Sequence, residues 1–340
     1  MIRVSIMIPT YNQERYIACA VESALAHDYP GLEVIVADDC STDRTPEIVG
    51  TYLGDKRLKL KRNACNLGKH DNYRKLLHEY ATGEWAVNLD GDDYFICTDF
   101  ITAAVREIEK NEKLVCVQAG YIIRSRDGTT DRLVSYGRGG TVDGFDLFLK
   151  YPDIAFGHGA LLYRRGLACG IDAYRFDVPS EDMETFLRLV LHGEVAFLDR
   201  IAYVWRGHAG NISSAVHPAG RIEDINAVVC GAYEYALSLG IDKKILLRWF
   251  KRVYAAKARH TLEQLVFHGL EIQVNEAKGV EDFISYLMEN RRHVFRDPKF
   301  LCAFLSYKAL GAAAFQEIYR LYHSVVRRFS AEGRLTRSAQ

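Results

Sequence analysis

The first 123 residues alternate short apolar runs with segments whose apolar residues recur at helical spacing, and this order limits the fold most. The runs predict strands, and the segments between them predict helices. Strands are predicted at Val4–Ile8, Leu32–Ala37, Leu58–Lys61, Glu84–Leu89 and Leu114–Ile123, and helices at Ile17–Leu25, from Thr45, at Asn72–Tyr80 and at Asp99–Glu109. Such alternation indicates an α/β protein with a mostly parallel sheet flanked by helices.

Acidic residues follow two of the predicted strands, at the sheet edge where ligands of such folds bind. Asp38 and Asp39 end the second strand, and Asp90-Gly91-Asp92-Asp93 follows the fourth. Three carboxylates this close repel one another, so the run is costly unless a cation lies among them. A hard divalent ion that bridges to a diphosphate would supply that charge, with Gly91 allowing a sharp turn. The alternative is a solvated acidic turn.

The composition excludes several classes of protein. The chain has 340 residues and a formal net charge of zero, so it can form one large domain plus an extension, and no global field recruits nucleic acid. Eight cysteines without a CxxC pair favour free thiols in a reducing cytoplasm over a zinc site or a disulfide framework. No signal peptide and no transmembrane helix are predicted.

The pattern changes after about residue 124. A hairpin turn is predicted at Arg126–Thr129, a strand at His158–Arg165, a helix at Met183–Leu191 with Ser180 as its N-cap, and an extended segment at Val195–Arg206. Beyond Pro218 the chain is predicted to be almost wholly helical. The helical patterns there are Ile245–Ala255, His260–Phe267, Val280–Met288 and Phe300–Tyr322.

Five separated motifs resemble those of the family 2 glycosyltransferases. They are Val4–Asn12, Glu33–Asp43, Arg62-Asn63, Asn66-Leu67-Gly68 and Leu89–Asp93, and the resemblance covers roughly residues 1–215. It implies a GT-A type, Rossmann-like α/β fold and transfer of a sugar from a nucleotide diphosphate donor, a UDP-sugar in the first instance, with inversion. The implied acceptor is a saccharide or a lipid-linked saccharide, and the implied process is polysaccharide or glycoconjugate biosynthesis.

The resemblance also implies a donor site. Pro9, Thr10, Tyr11 and Asn12 would line the pocket for base and ribose, Asp39 would accept a hydrogen bond from the base, and Asn66, Gly68, Asp90 and Asp92 would contact the nucleotide sugar. Asp92, Asp93 and His208 are the implied ligands of a divalent metal, Mn²⁺ or Mg²⁺. How the three aspartates divide these tasks stays open, and His208 could equally lie in an exposed loop.

Glu181 and Asp182 resemble the family's ED motif, in which the aspartate is the general base. A carboxylate within hydrogen-bond reach can take the proton of the acceptor hydroxyl as the new bond forms. Glu181 could hold this role instead, and Asp182 could be an ordinary first-turn acid of a helix. Three further predictions are structural: Asp38 binds local amides, and His158 and the Arg164-Arg165 pair lie in a surface turn. For His158 and the two arginines, contact with the acceptor or a phosphate is the alternative. Lys69 and His70 receive no role.

The motifs divide the chain into a GT-A catalytic domain, residues 1–215, and a helical C-terminal extension, residues 216–340. Within the domain, a nucleotide-sugar half ends at about residue 123 and an acceptor half spans 124–215. For the extension we favour a cap or a dimer contact over an amphipathic helix on a membrane surface. The expected location is the cytoplasm, with attachment to the inner face of the membrane as the alternative.

Three other functions are weighed against sugar transfer. A sugar-phosphate nucleotidyltransferase needs a phosphate loop rich in glycine and arginine after the first strand, where this chain has Pro9–Glu14. A non-catalytic GT-A homologue that acts as a binding module is disfavoured because Asp39, Asp92, Asp93 and Asp182 occur together. A dinucleotide oxidoreductase is disfavoured because no GxGxxG follows the first strand.

Overall fold

The computed structural model describes residues 1–137, 139–154, 156–208, 210–211, 218–268 and 276–305. The chain forms two compact units, residues 1–215 with 231–240, and residues 216–230 with 241–340. The assignment of a catalytic domain to residues 1–215, of its halves at residue 123 and of an extension to 216–340 stays a prediction.

The first unit alternates strands and helices through its first half, as predicted. Its elements are β1 Val4–Thr10, α1 Ile17–Leu25, β2 Leu32–Asp38, α2 Thr45–Gly50, β3 Leu58–Arg62, α3 Lys69–Lys75, β4 Trp85–Asn88, β5 Tyr94–Phe95, α4 Phe100–Lys110 and β6 Leu114–Arg124. The second half contains β7 Asp131–Val134, β8 Gly140–Asp143, α5 Gly144–Lys150, β9 Leu161–Arg164, α6 Arg165–Gly170, α7 Glu181–Leu189 and β10 Glu194–Arg206.

All ten strands join in one sheet, in the order β3-β2-β1-β4-β9-β6-β10-β5, with β7 beside β6 and β8 beside β10. The strands β3, β2, β1 and β4 are parallel, and β6 is parallel to β10. Antiparallel pairs enter through β5, β7, β8 and β9. The predicted α/β fold class is confirmed, and every antiparallel pair includes at least one strand of the later half, β7 to β10.

The strand register decides where the acidic residues lie. Thr10 pairs with Asp38 across β1 and β2, and Met7 pairs with Asn88 across β1 and β4. The carboxyl ends of β1, β2 and β4 therefore share one edge of the sheet. Every residue of β1 and β4 is buried, as expected of strands covered on both faces.

Helix α4 shows how the sequence pattern packs on this sheet. Its buried residues are Phe100, Ile101, Ala103, Ala104, Val105 and Ile108, which recur on one face at helical spacing. Full burial of one such large apolar side chain contributes about 1.5–3 kcal/mol. The apolar face of the helix thus holds it against the strands that carry the site.

Some predicted boundaries were wrong. Helix α3 begins at Lys69, before the predicted Asn72, because Gly68 adopts a left-handed φ of 87° and redirects the chain there. Residues His158–Ala160 form a 3₁₀ turn, so the strand predicted from His158 begins only at Leu161. Helix α7 does begin after Ser180, but the Ser180 side chain makes no capping hydrogen bond.

In its described residues the second unit is helical, as predicted. The chain forms α8 Pro218–Ser238, whose last turns belong to the first unit, then α9 Lys243–His268, α10 Glu276–Asn290, a 3₁₀ segment Arg292–Arg296, and helical residues 298–305. The two patterns predicted at 245–255 and 260–267 belong to the single helix α9. Tyr254 donates a hydrogen bond to Asn226 (2.9 Å), and Asn226 donates one to Tyr286 (2.8 Å), which ties α8, α9 and α10.

The described residues include only part of the C-terminal region for which helices were predicted. Most of the helix predicted at Phe300–Tyr322 lies outside the described residues. Within the described part of the chain, no helix combines the length and the apolar character needed to cross a membrane.

Candidate active site

The acidic run after β4 brings three carboxylates together. Oxygens of Asp90, Asp92 and Asp93 lie within 4.8 Å of one another. Gly91 is needed for close packing, because a Cβ there would collide with the Gln13 side chain and lie 2.9 Å from Thr10 Oγ1. The role predicted for Gly91 from the sequence was different, a sharp turn of the backbone. The acidic turn therefore packs tightly against the end of β1.

Each carboxylate of the turn has a partner from another element. Tyr73, on α3, donates its hydroxyl to Asp90. His208 Nε2 lies 2.8 Å from Asp92 Oδ2. Asp93 accepts the hydroxyl of Tyr203 and, at 2.7 Å, the backbone amide of the residue at the end of β10. The turn is thereby fixed by contacts with α3, β10 and the loop after β10.

The electrostatics of the turn suit a divalent cation. Burial and the charge of Asp90 raise the pKa of Asp92. Burial and the charges of Asp92 and Asp90 raise the pKa of Asp93 well above its usual range. A divalent cation relieves both the repulsion and the desolvation, and carboxylate oxygens are the ligands that Mg²⁺ and Mn²⁺ prefer. The residues present therefore fit the predicted metal.

His208 acts in this structure as the partner of Asp92. Its ring stacks on Tyr16, with centroids 4.8 Å apart. The amide of Gly210 donates to His208 Nδ1 at 3.1 Å, which places the proton of a neutral ring on Nε2, facing Asp92. Direct metal ligation through Nε2 requires the other tautomer, so the role of His208 as a metal ligand stays a prediction.

The loop after β1 combines buried and exposed residues. Of the four residues predicted to bind base and ribose, Pro9 and Thr10 are buried in β1, while Tyr11 and Asn12 are exposed. Asn12 has a φ of 51°, and its side-chain oxygen accepts the amide of Thr42 at 2.8 Å. Asn12 therefore connects this loop to the loop after β2. The exposed ring of Tyr11 is accessible to a ligand.

Asp39 is buried and already holds several donors. It accepts a hydrogen bond from Asn63 at 2.8 Å and from the amides of residues 67 and 68 at 2.9 Å each. Asn66 is exposed and accepts the amide of Gly68 at 3.0 Å. Asp39 thus fixes the loop that contains Asn66 and Gly68, two other residues predicted to bind the nucleotide sugar. Its neighbour Asp38 accepts a local amide and pairs with an arginine, as predicted for a structural carboxylate.

Glu181 and Asp182 have different surroundings although they are neighbours in sequence. The Glu181 side chain is 2% exposed and faces Lys69 and His70, whereas that of Asp182 is 27% exposed and faces His158. Burial raises the pKa of Glu181. Burial is the largest single influence and acts to raise the pKa of Asp182, but the hydrogen bond and charge of His158, together with the charge of Lys69, outweigh it and lower that pKa. Asp182 is therefore the more accessible carboxylate of the two and the one whose pKa is lowered.

Tyr73 joins the acidic turn to the Asp182 side. Its hydroxyl binds Asp90, and its ring lies edge-on to His158, with centroids 5.5 Å apart. His158 Nδ1 in turn lies 3.2 Å from Asp182 Oδ2. The predicted metal and base residues consequently belong to one connected set of side chains.

Several residues of this set were not predicted from the sequence. His158, expected in a surface turn, contacts Asp182. Arg164 and Arg165 lie at the end of β9 and the start of α6 rather than in a turn, and both bind backbone carbonyl groups, which is a structural role. Tyr16, Tyr73 and Tyr203 received no role. The signals available were weak, since only the place of Tyr203 in an extended segment pointed toward the sheet.

The fold, a mostly parallel sheet flanked by helices, is of the GT-A type. Residues 5–169 match the sequence model of glycosyl transferase family 2. This part of the chain, just under half of it, is similar to that family.

Two curated relatives show the extent of the likeness. Poly(ribitol-phosphate) beta-N-acetylglucosaminyltransferase TarS of Staphylococcus aureus is 38% identical over 96 residues, 28% of this chain and 17% of TarS. UDP-Glc:alpha-D-GlcNAc-diphosphoundecaprenol beta-1,3-glucosyltransferase WfaP of Escherichia coli is 27% identical over 221 residues, 62% of this chain and 80% of WfaP. The chain thus spans less than a fifth of the length of TarS.

Two solved structures share the fold. The S. aureus TarS fragment 1-349 in complex with UDP gives a TM-score of 0.60 at 20% identity, covering 86% of this chain and 82% of the fragment. The mannosyltransferase PcManGT of Pyrobaculum calidifontis in complex with GDP-Man and Mn²⁺ gives a TM-score of 0.52 at 18% identity, covering 91% and 87%.

Proposed function

We propose that the protein is an inverting glycosyltransferase that moves a sugar from a nucleotide diphosphate donor to a hydroxyl of a saccharide or a lipid-linked saccharide. The observation that carries this proposal is the contact series from Asp90 through Tyr73 and His158 to Asp182. It supports an acidic turn for the diphosphate and an accessible carboxylate for the acceptor within one site. A UDP-sugar is the proposed donor, because the named relatives TarS and WfaP are associated with UDP or a UDP-sugar.

In this proposal Asp182 is the general base. Its lowered pKa keeps it ionised at neutral pH, and its exposed fraction leaves an oxygen accessible to an acceptor hydroxyl. The hydroxyl oxygen attacks the anomeric carbon while its proton passes to Asp182, and the bond from that carbon to the diphosphate breaks. One displacement inverts the configuration, so no covalent enzyme nucleophile is needed.

Glu181 does not suit the same task. Its carboxylate is 2% exposed and faces Lys69 and His70, so an acceptor hydroxyl has no access to it. We therefore assign the proton transfer to Asp182 alone.

The acidic turn is the proposed diphosphate and metal end. A bound divalent cation would neutralise the charge that develops on the leaving diphosphate. Asp92 is the proposed principal ligand, with Asp93 and His208 beside it. Tyr203 and the amide at the end of β10 already occupy both oxygens of Asp93, which therefore also anchors the turn. Tyr11, Asn12 and Asp39 are proposed to face the nucleoside, and Asn66, Gly68 and Asp90 the rest of the donor.

The test combines donor binding with turnover. Purified protein is screened against UDP-, GDP- and other nucleotide sugars with Mn²⁺ or Mg²⁺, and release of the nucleoside diphosphate is measured with and without candidate acceptors. Asp182→Asn should retain donor binding by calorimetry and lose about 100-fold or more of the turnover, the scale of general-base catalysis. Asp177→Asn, which changes an exposed carboxylate nearby, should remain near wild type.

The rival functions predict other outcomes. A nucleotidyltransferase would form a nucleotide sugar from a sugar phosphate and a nucleoside triphosphate. A non-catalytic homologue would bind donor and release nothing, with no difference between wild type and Asp182→Asn. If no nucleotide sugar binds or is turned over in the presence of either metal, the proposed function is wrong.

A further inference from the structure

Residues 66–70, which we call the bridging loop, are held from two sides by buried carboxylates. Asp39 accepts the amides of residues 67 and 68 at 2.9 Å each. The next two residues reach the second carboxylate: Lys69 Nζ lies 3.2 Å from Glu181 Oε1, and His70 Nδ1 lies 2.8 Å from Glu181 Oε2. Four consecutive residues therefore connect Asp39 to Glu181.

The conformation of the bridging loop makes this connection possible. Gly68 has a φ of 87°, a left-handed conformation that glycine adopts without steric cost. Helix α3 begins at the following residue, so the side chains of Lys69 and His70 leave from its first turn. Lys69 Nζ also donates to the carbonyl of Pro179 at 3.4 Å. The loop thus contacts both the segment before α7 and the first residue of α7.

The residue after Glu181 is the proposed base. Glu181 is almost fully buried, and its contacts with Lys69 and His70 are charge-assisted ones in a water-poor place. Removing one partner of such a contact leaves the other buried and poorly satisfied, which costs more than the loss of an exposed ion pair. A displacement of the bridging loop therefore acts directly on the turn that carries Asp182.

We propose that Glu181 is a positioning residue that couples the bridging loop, and through it the donor end at Asp39, to the placement of Asp182. This inference rests on the proposed function, in which Asp39 faces the donor and Asp182 takes the proton. Binding of the sugar donor that orders the bridging loop then also fixes the position of Asp182. The donor end and the base end of the site therefore become ordered together.

Steady-state kinetics test the coupling. Glu181→Gln keeps the size of the side chain and removes its charge, and Lys69→Met keeps the aliphatic stem. Each variant should lower kcat and raise the donor KM, with a loss in kcat/KM of about tenfold or more, as expected for one partner of a buried charged contact. The double variant should be about as impaired as the worse single variant, because both residues act through one contact.

A matched control is available on β3. Lys59 pairs with Glu33 at 2.7 Å, outside the bridging loop and the site. Lys59→Met removes a lysine–glutamate pair of the same kind and should leave kcat and KM unchanged. If Glu181→Gln and Lys69→Met lower only the melting temperature, or if their kinetic losses add in the double variant, the coupling is overturned.

Hydrogen exchange tests the same contact without turnover. In the free protein, Glu181→Gln should speed amide exchange in peptides that cover residues 66–70 and 179–183, and Lys59→Met should change neither. Wild-type exchange rates at residues 66–70 in Glu181→Gln would contradict the inference. Failure of every nucleotide sugar in the wild-type assay would overturn the proposed function, and the exchange result would still decide whether Glu181 holds the loop.

Discussion

His158 Nδ1 lies 3.2 Å from Asp182 Oδ2, so the proposed base is paired with an imidazole that is itself enclosed by aromatic rings. The rings of Tyr73, Tyr174 and Phe186 lie 5.5, 6.5 and 6.0 Å from that of His158. This enclosure restricts the imidazole to few orientations. Asp182 is therefore held by a rigid partner, which fixes both its direction and its ionisation.

The His158–Asp182 pair predicts a shift in the pH profile. Burial alone would lower the pKa of His158, but Asp182 and Asp90 raise it, and the His158 side chain in turn lowers the pKa of Asp182. Because the pKa of Asp182 is depressed, protonation of Asp182 should lower kcat/KM only as pH drops through that low value. In His158→Gln the pKa of Asp182 should rise, so the acidic limb should move to higher pH.

The control for this shift is His192→Gln, which changes a histidine that contacts Tyr235 at 2.7 Å after the end of α7. Its acidic limb should coincide with that of the wild type. An unchanged limb in His158→Gln would mean that His158 does not set the ionisation of the group seen in the rate.

Asp92→Asn should weaken binding of the divalent metal. The variant removes a charged oxygen ligand from the acidic turn while His208 retains a hydrogen-bond partner. We expect the Mn²⁺ concentration for half-maximal donor hydrolysis to rise at least about tenfold, since even loss of an outer-shell partner costs this much. Asp127→Asn, in an exposed hairpin turn, is the control. An unaltered metal titration would remove Asp92 from the proposed ligands.

Gly91→Ala should disturb the acidic turn. The added Cβ meets the ends of the Gln13 and Thr10 side chains, so these side chains and the hydrogen bond between them must be displaced or the turn must shift. We expect a loss of about 1–3 kcal/mol in the free energy of unfolding, typical of overpacking, together with weaker metal activation. Gly166→Ala, where a Cβ meets no atom within 4 Å, should be close to neutral in denaturant unfolding. Equal stability of the two variants would contradict the close-packing role of Gly91.

Tyr203→Phe should destabilise the protein through Asp93. The hydroxyl of Tyr203 is a donor to a fully buried carboxylate, and without it Asp93 keeps the backbone amide at 2.7 Å. Loss of a partner by a buried charged group costs about 1–3 kcal/mol. Tyr121→Phe, which removes a longer bond of 3.4 Å to a carbonyl, should cost less in the same denaturation experiment. A larger loss in Tyr121→Phe would show that Asp93 does not depend on Tyr203.

The sequence by itself determined the order of strands and helices in the first half of the chain. The apolar runs of β1, β2 and β4 and the spacing within α1 and α4 report which residues share a buried face, and that information is local. The places of Asp39 and the acidic run after strands follow from the same pattern. The two neighbours Glu181 and Asp182 were also visible, but nothing local distinguished them.

Only the tertiary structure decided how these residues divide their work. His70 and Glu181 are 111 positions apart, His208 and Asp92 are 116 apart, and His158 and Asp182 are 24 apart. Such pairs depend on how α3, α7 and the end of β10 pack around the sheet, which the periodicity of single elements does not encode. Burial of Glu181 and partial exposure of Asp182 are consequences of that packing, and they turn two adjacent carboxylates into a proposed positioning residue and a proposed base.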